Sequence, residues 1–85
     1  ITICAKDEVH LFNNCQFTLL CISILKDLCE QYDFKLYCYC FMPDHVHFVI
    51  SVQGKYSILN FVAMFKSLTS KKAKEIGYET PIYQS

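Results

Sequence analysis

Apolar residues recur every three or four positions in two long stretches of the chain, the pattern of an amphipathic helix. The first stretch covers residues 15–32, and Asn13 or Asn14 precedes it as a candidate N-cap. The second covers residues 57–76 and starts with Ser57, another favourable N-cap residue. The sequence therefore predicts two helices of similar length, each with one apolar face to bury.

Around these helices, apolar and polar residues alternate, which indicates strands whose successive side chains point to opposite faces. Such segments are residues 1–5, 35–41 and 45–52, and a further extended segment covers residues 78–85. The order strand, helix, strand, strand, helix, strand is the ferredoxin-like split βαβ arrangement. We therefore expect an α+β sandwich: an antiparallel sheet with two helices on one face. The first and third strands should lie in the middle, with a truncated last strand beside the first.

Composition is typical of one small globular domain, here residues 1–85. The chain is 53% hydrophobic and 15% aromatic, which excludes a disordered protein. Its formal net charge is zero, so no overall positive electrostatic potential indicates a nucleic-acid partner. The longest apolar run is too short for a membrane span, and no secretory signal is recognisable. We therefore expect a cytoplasmic protein with no membrane partner.

The cysteines do not form the framework of a disulfide-rich domain, because most lie at apolar positions of periodic segments rather than in Gly/Pro-rich loops. They are Cys4, Cys15, Cys21, Cys29, Cys38 and Cys40. We expect free thiols that serve as small buried hydrophobic residues in a reducing compartment.

Lysines concentrate in the second predicted helix, where Glu75 is the nearby counter-charge. They are Lys66, Lys71, Lys72 and Lys74. Because they span several angles of the helix, they fit a solvated helix face, and they also fit contacts to a DNA backbone. The chain contains no arginine, so each phosphate contact would be made by a lysine point charge.

The strongest candidate for a functional site is a pair of histidines at the start of the third predicted strand. His45 and His47 are two residues apart, so in a strand they share one face about 6.6 Å from each other. Pro43 and Asp44 favour a tight turn just before them, which places the pair at the rim of the sheet. Two neutral imidazoles at this spacing can bind one divalent metal, but such pairs are also found simply hydrogen-bonded. Asp44 is either a turn residue or a group that orients His45.

A structural zinc site is an alternative use of the same hairpin. Cys38 and Cys40 precede His45 and His47, and the four side chains could supply tetrahedral ligands. The register of the hairpin decides between the two readings. A three-residue turn puts the cysteines on the face opposite the histidines, whereas a two-residue turn sets Cys40 opposite His47 and makes zinc feasible.

Residues 37–50 read Tyr-Cys-Tyr-Cys-Phe-Met-Pro-Asp-His-Val-His-Phe-Val-Ile and resemble the HUH segment of the single-tyrosine transposases. This family comprises the insertion-sequence-200-like transposases and their REP-associated relatives. Residues 61–72 resemble the helix that follows the HUH strand in the family. Residues 82–85 resemble its next strand, with Tyr83 where tryptophan is usual. The resemblance covers nearly the whole chain.

The resemblance implies a function. His45 and His47 would bind Mg²⁺ or Mn²⁺, Asp44 would orient them, and the lysines of the second helix would face DNA. The metal would polarise a phosphate of single-stranded DNA with hairpin structure. A tyrosine would attack it, forming a 5′-phosphotyrosine link and freeing a 3′-hydroxyl. Members of the family work as monomers or dimers, so a homodimer is a possible state.

The family carries its nucleophilic tyrosine and a further metal ligand on a helix after the last strand, which places them beyond residue 85. The tyrosines present do not fill the role. Tyr37 and Tyr39 are expected to pack on the sheet, Tyr78 lies in a turn, and Tyr83 replaces a packing tryptophan. We therefore expect that this chain alone does not cleave DNA.

A third interpretation is a ferredoxin-like module without catalysis. The truncated last strand would leave the first strand as an open edge, to which another chain could pair.

Overall fold

The computed structural model describes residues 1–6, 10–79 and 81–84. Its regular elements are strand β1 (Thr2–Cys4), helix α1 (Cys15–Gln31), strand β2 (Phe34–Met42), strand β3 (His45–Val52) and helix α2 (Ile58–Glu75), with a 3-10 turn at Leu11–Asn13. Residues 7–9, 80 and 85, which belong to the predicted first connection and final extended segment, lie outside the described residues.

Both helices begin at the polar residues that the sequence predicts as caps. The Asn14 side chain accepts a hydrogen bond of 3.0 Å from the Phe17 backbone N–H. Ser57 and Asn60 form a reciprocal capping box at the start of α2. Gly77 follows α2 with a φ of 100°, a left-handed conformation that ends a helix at little cost for glycine. The predicted helices are confirmed to within one residue at each end.

The sheet is antiparallel with the strand order β1-β3-β2. The final segment lies on the other side of β1, where Tyr83 forms a bridge with Ala5 and the Gln84 N–H donates to the Cys4 carbonyl at 3.0 Å. β1 and β3 are therefore central, and the predicted truncated ferredoxin-like fold is confirmed. The expectation of an open β1 edge is wrong at its C-terminal end, because these contacts cover it.

The two faces of the sheet differ sharply. On one face, Val46 and Phe48 of β3 are fully buried beneath the helices. The Phe48 ring centroid lies 5.8 Å from that of Phe61 and 5.9 Å from that of Phe65, both in α2. The alternate residues of β3 point to the opposite face, which no described element covers. We call this second surface the open face.

The cysteine prediction is only partly confirmed. All six cysteines are free thiols, but only Cys21 and Cys29 are buried. The other four are exposed: Cys4, Cys15, Cys38 and Cys40. Three of these four belong to strand positions that face away from the helices, where the single-sided core leaves them in solvent. None of the helices in the described part is long and apolar enough to cross a membrane.

A small buried polar cluster ties the final segment to α2. The Tyr83 hydroxyl and Thr69 Oγ1 of α2 are 2.7 Å apart, and Thr69 Oγ1 also donates to the Phe65 carbonyl at 2.7 Å. The Cys21 side chain of α1 is fully buried in the same core. Tyr83 is thus a packing residue, as the resemblance implies.

This cluster makes the fold sensitive to alkali. Burial raises the pKa of the Cys21 thiol to about 12, and burial also raises the pKa of Tyr83. In the unfolded chain a thiol loses its proton near its ordinary pKa of about 8.5, so the unfolded state then binds fewer protons than the native state. We expect the free energy of unfolding to fall as the pH rises from about 8.5 toward about 12. Urea midpoints measured across this range should fall less steeply in Cys21→Ala than in the exposed-site control Cys15→Ala. Equal slopes for the two variants would contradict this assignment.

Candidate functional site

The turn before the histidines is held from two sides. β2 and β3 are joined by the two-residue turn Pro43-Asp44. The Ala5 N–H donates to the Asp44 carbonyl, and the Phe12 N–H donates to the Pro43 carbonyl, each at 2.9 Å. Because these donors come from the end of β1 and from the 3-10 turn, the position of the hairpin tip is set by three parts of the chain. His45 follows this tip directly.

Both histidines lie on the open face. His45 pairs with Cys4 of β1, and His47 pairs with Thr2. The His45 side chain is 35% exposed and His47 is exposed, whereas Val46 between them is fully buried. The predicted placement of two neighbouring imidazoles on one solvent-accessible face is therefore correct.

Asp44 holds the ring of His45. The His45 Nδ1 and Asp44 Oδ1 atoms are 2.8 Å apart. This hydrogen bond is the main cause of a lowered pKa of Asp44. A carboxylate can only accept a hydrogen bond, so the proton of a neutral His45 ring must sit on Nδ1. The lone pair of Nε2 is then free to bind a cation, which is the orienting role expected of Asp44.

Thr2 holds the ring of His47. Its Oγ1 lies 2.8 Å from His47 Nδ1, across the β1–β3 ladder. Sequence analysis did not single out Thr2, because only the strand register brings residue 2 beside residue 47. As with His45, the contact engages Nδ1 and leaves Nε2 without a partner among the described residues.

A shallow cavity of about 110 Å³ opens beside His45. It is lined by Cys4, Ala5, Asp44, His45 and Gln84. The Gln84 backbone is held in place by the hydrogen bond to β1 described above. The cavity gives a small polar group access to the imidazole from the side of the final segment.

The hairpin has the two-residue turn that the zinc alternative requires, so Cys40 pairs with His47 and shares its face. Even so, the described residues contain no group of three or more His, Cys, Asp or Glu side chains placed to hold one metal ion. Cys38 lies two residues further along β2, roughly 6.6 Å from Cys40. The described part of the structure therefore does not bring the four side chains together as a zinc centre.

The two imidazoles fit part of the coordination sphere of Mg²⁺ or Mn²⁺. Such ions take about six ligands, so water, phosphate oxygens and a further side chain would have to complete the set. Two nitrogens that are already oriented through their Nδ1 atoms are suited to this partial role.

The tyrosines differ from expectation at one position. Tyr39 pairs with Phe48 on the helix side of β2, and its ring lies 6.1 Å from that of Phe41, but it is 37% exposed and so packs only in part. Tyr37 is 59% exposed, so the prediction that it packs on the sheet is wrong. A register shift between Leu36 and Cys38 interrupts the alternation, so Tyr37 does not share the helix side of β2 with Tyr39.

The lysines of α2 are not gathered at the histidines, because the sheet lies between α2 and the open face. Lys66 reaches the rim, where its Nζ donates to the Gln84 carbonyl at 3.3 Å. Lys72 pairs with Glu75 at 3.4 Å, and the remaining two lysines are exposed. The structure therefore connects one lysine, through Gln84, to the cavity beside His45.

The fold is that of a transposase-like α+β domain. A crystal structure of a protein assigned as a transposase from Deinococcus radiodurans matches with a TM-score of 0.70 and 22% sequence identity. The match covers 89% of this chain and 58% of that one, so the chain spans little more than half the length of this structural relative.

The family follows from the sequence. The model of the family described as "Transposase IS200 like" matches residues 1–81, and the chain belongs to that family. The predicted resemblance to the insertion-sequence-200-like transposases is thereby confirmed. None of the curated proteins compared with the chain matches it.

Proposed function

We propose that this domain supplies the metal site and part of the DNA-binding surface of a transposase of the HUH type. The enzyme would cleave and rejoin single-stranded DNA at hairpin ends. The observation that carries the proposal is that His45 and His47 share one solvent-accessible face and that neither Nε2 atom has a hydrogen-bond partner among the described residues. Family membership supports the transposase activity.

His45 and His47 are the residues that would hold Mg²⁺ or Mn²⁺. A bound divalent cation supplies positive charge beside the phosphate oxygens and so favours attack at phosphorus. The protein's contribution is orientation: Asp44 holds the His45 ring, and the clamped Pro43-Asp44 turn holds its backbone. The adjacent cavity leaves room for one edge of a phosphate group.

The nucleophile is proposed to be a tyrosine outside residues 1–85. Its phenolate oxygen would form a bond to phosphorus as the bond to the 3′-oxygen breaks, and that oxygen leaves as a 3′-hydroxyl. The exposed Tyr37 comes from a bulge in β2 and has Lys35 Nζ 5.1 Å from its ring centroid. We expect no covalent adduct between the 85-residue chain and single-stranded DNA, because Tyr83 is buried and, in the part of the chain that the structure describes, no hydrogen bond engages the hydroxyl of another tyrosine.

DNA contacts are proposed for the lysines of α2, which are Lys66, Lys71, Lys72 and Lys74. Each lysine that neutralises a phosphate releases condensed counterions, so its contribution appears in the salt dependence of binding. Lys71 and Lys74 are exposed. Each is therefore available to contact a DNA strand that lies along α2.

The salt dependence of hairpin binding tests this proposal. Binding of the 85-residue chain to a single-stranded DNA hairpin is measured by fluorescence anisotropy at several salt concentrations with Mn²⁺ present. Lys71→Ala and Lys74→Ala should each make the negative slope of log K against log salt shallower by about 1. Lys26→Ala, which removes an exposed lysine from α1, is the matched control and should leave the slope unchanged. Equal slopes for all three variants, or absence of hairpin binding, would refute the proposed DNA surface.

A further inference from the structure

The two histidines of the site have partners of different chemistry. His45 Nδ1 faces a carboxylate oxygen of Asp44, and His47 Nδ1 faces the hydroxyl of Thr2, both at 2.8 Å. The Asp44 contact is local, between neighbouring residues of the turn. The Thr2 contact joins residues 45 positions apart, through the pairing of β1 with β3.

These partners place different constraints on the imidazole proton. A carboxylate only accepts, so Asp44 requires the proton of neutral His45 on Nδ1. A hydroxyl both donates and accepts, so Thr2 can bond to either tautomer of His47. In one tautomer Thr2 accepts from Nδ1–H and Nε2 is free for a cation. In the other Thr2 donates to Nδ1, and the proton on Nε2 blocks that atom as a ligand.

We propose that Thr2 is a positioning residue that governs the tautomer of His47, so that His45 is the preset ligand and His47 the adjustable one. This inference rests on the proposed metal site. Binding of a cation would then require His47 to move its proton to Nδ1, with the Thr2 hydroxyl rotating from donor to acceptor. Partners that fix the tautomer of a ligating histidine commonly change metal affinity about 10–100-fold when they are replaced.

Substitutions of Thr2 separate its chemistry from its shape. Thr2→Val keeps a β-branched side chain of similar size in the strand but can make no hydrogen bond. Thr2→Ser retains the hydroxyl. Thr2→Asp offers an acceptor-only carboxylate, as Asp44 does for His45. Ser51→Asp adds the same charge on the open face of β3, four residues beyond His47, and controls for charge alone.

The first measurement is made on the metal-free 85-residue chain. Two-bond ¹⁵N–¹H correlations of the imidazoles report which ring nitrogen carries the proton, at a pH well above the ordinary histidine pKa of about 6.5. His45 should be in the Nδ1–H form, and His47 should contain a substantial share of the Nε2–H form. Thr2→Asp should convert His47 to the Nδ1–H form, whereas Ser51→Asp should not. An unchanged His47 tautomer in Thr2→Asp would overturn the inference.

The second measurement is Mn²⁺ affinity, determined by titration calorimetry on the same variants. Thr2→Val should bind about 10-fold more weakly, Thr2→Ser should bind like the parent chain, and Thr2→Asp should bind several-fold more tightly than Ser51→Asp. If the parent binds Mn²⁺ and Thr2→Val binds it equally well, the role of Thr2 is refuted while the metal site stands. If the parent binds no Mn²⁺ although its tautomers are as expected, the proposed metal site fails instead, and with it the role of Thr2 in binding. Thermal melting of each variant verifies that β1 remains folded.

Discussion

Replacing either His45 or His47 by alanine is expected to weaken Mn²⁺ binding by more than about 100-fold. Loss of a group that merely orients a ligand costs about 10–100-fold, and loss of the ligand itself should cost more. Among the described residues, no group of three or more His, Cys, Asp or Glu side chains is placed to hold one metal ion, so the single imidazole that remains has no ready-made set of ligands around it. Titration calorimetry with Mn²⁺ measures the affinity of each variant directly.

His10 is the matched control, because it is the third histidine of the chain and is exposed in the segment before the 3-10 turn. His10→Ala should keep most of the Mn²⁺ affinity. Similar affinities for His10→Ala, His45→Ala and His47→Ala would show that the imidazole pair is not the binding site. The predicted metal centre would then have to be abandoned.

Replacing Phe48 by alanine is expected to destabilise the fold by about 3–5 kcal/mol, the usual cost of removing a fully buried phenyl ring. Phe48 is 0% exposed and packs against two phenylalanines of α2, so the cavity cannot easily collapse. A small domain has roughly 5–15 kcal/mol of stability at most, and the loss is therefore a large part of the total. Urea denaturation followed by circular dichroism provides the measurement.

Val49 offers the control at the neighbouring position, because it lies on the open face and is 42% exposed. Val49→Ala should change the free energy of unfolding by no more than about 0.5 kcal/mol. If both variants had the same urea midpoint, the assignment of the two faces of β3 would be wrong.

Much of the architecture was predictable from residue patterns. The three- and four-residue spacing and the capping residues Asn14 and Ser57 located both helices almost to the residue. Alternation in residues 45–52 predicted that His45 and His47 share a face, since side chains of a strand alternate whatever the rest of the fold does. The element order then limited the topology to the split βαβ arrangement.

Contacts between distant parts of the chain were not predictable in this way. Alternation cannot distinguish a two-residue from a three-residue turn. Only the structure could therefore establish that Cys40 pairs with His47. A register shift in β2 places Tyr37 and Tyr39 on different faces although they are two residues apart, and it leaves Tyr37 59% exposed. Most cysteines occupy apolar positions of the sequence pattern, which predicted that they would be buried. Because helices cover only one face of the sheet, about half of the strand residues lie in solvent.

The sequence by itself determined the kinds of elements, their order and the presence of two imidazoles on one strand face, because these follow from local periodicity. Only the tertiary structure decided that Thr2 meets His47, that Gln84 closes a cavity beside His45, and that the lysines of α2 lie across the sheet from both. The physical reason is that strand register and layer packing minimise the free energy of the whole chain. They are therefore set by contacts between residues that are far apart in sequence.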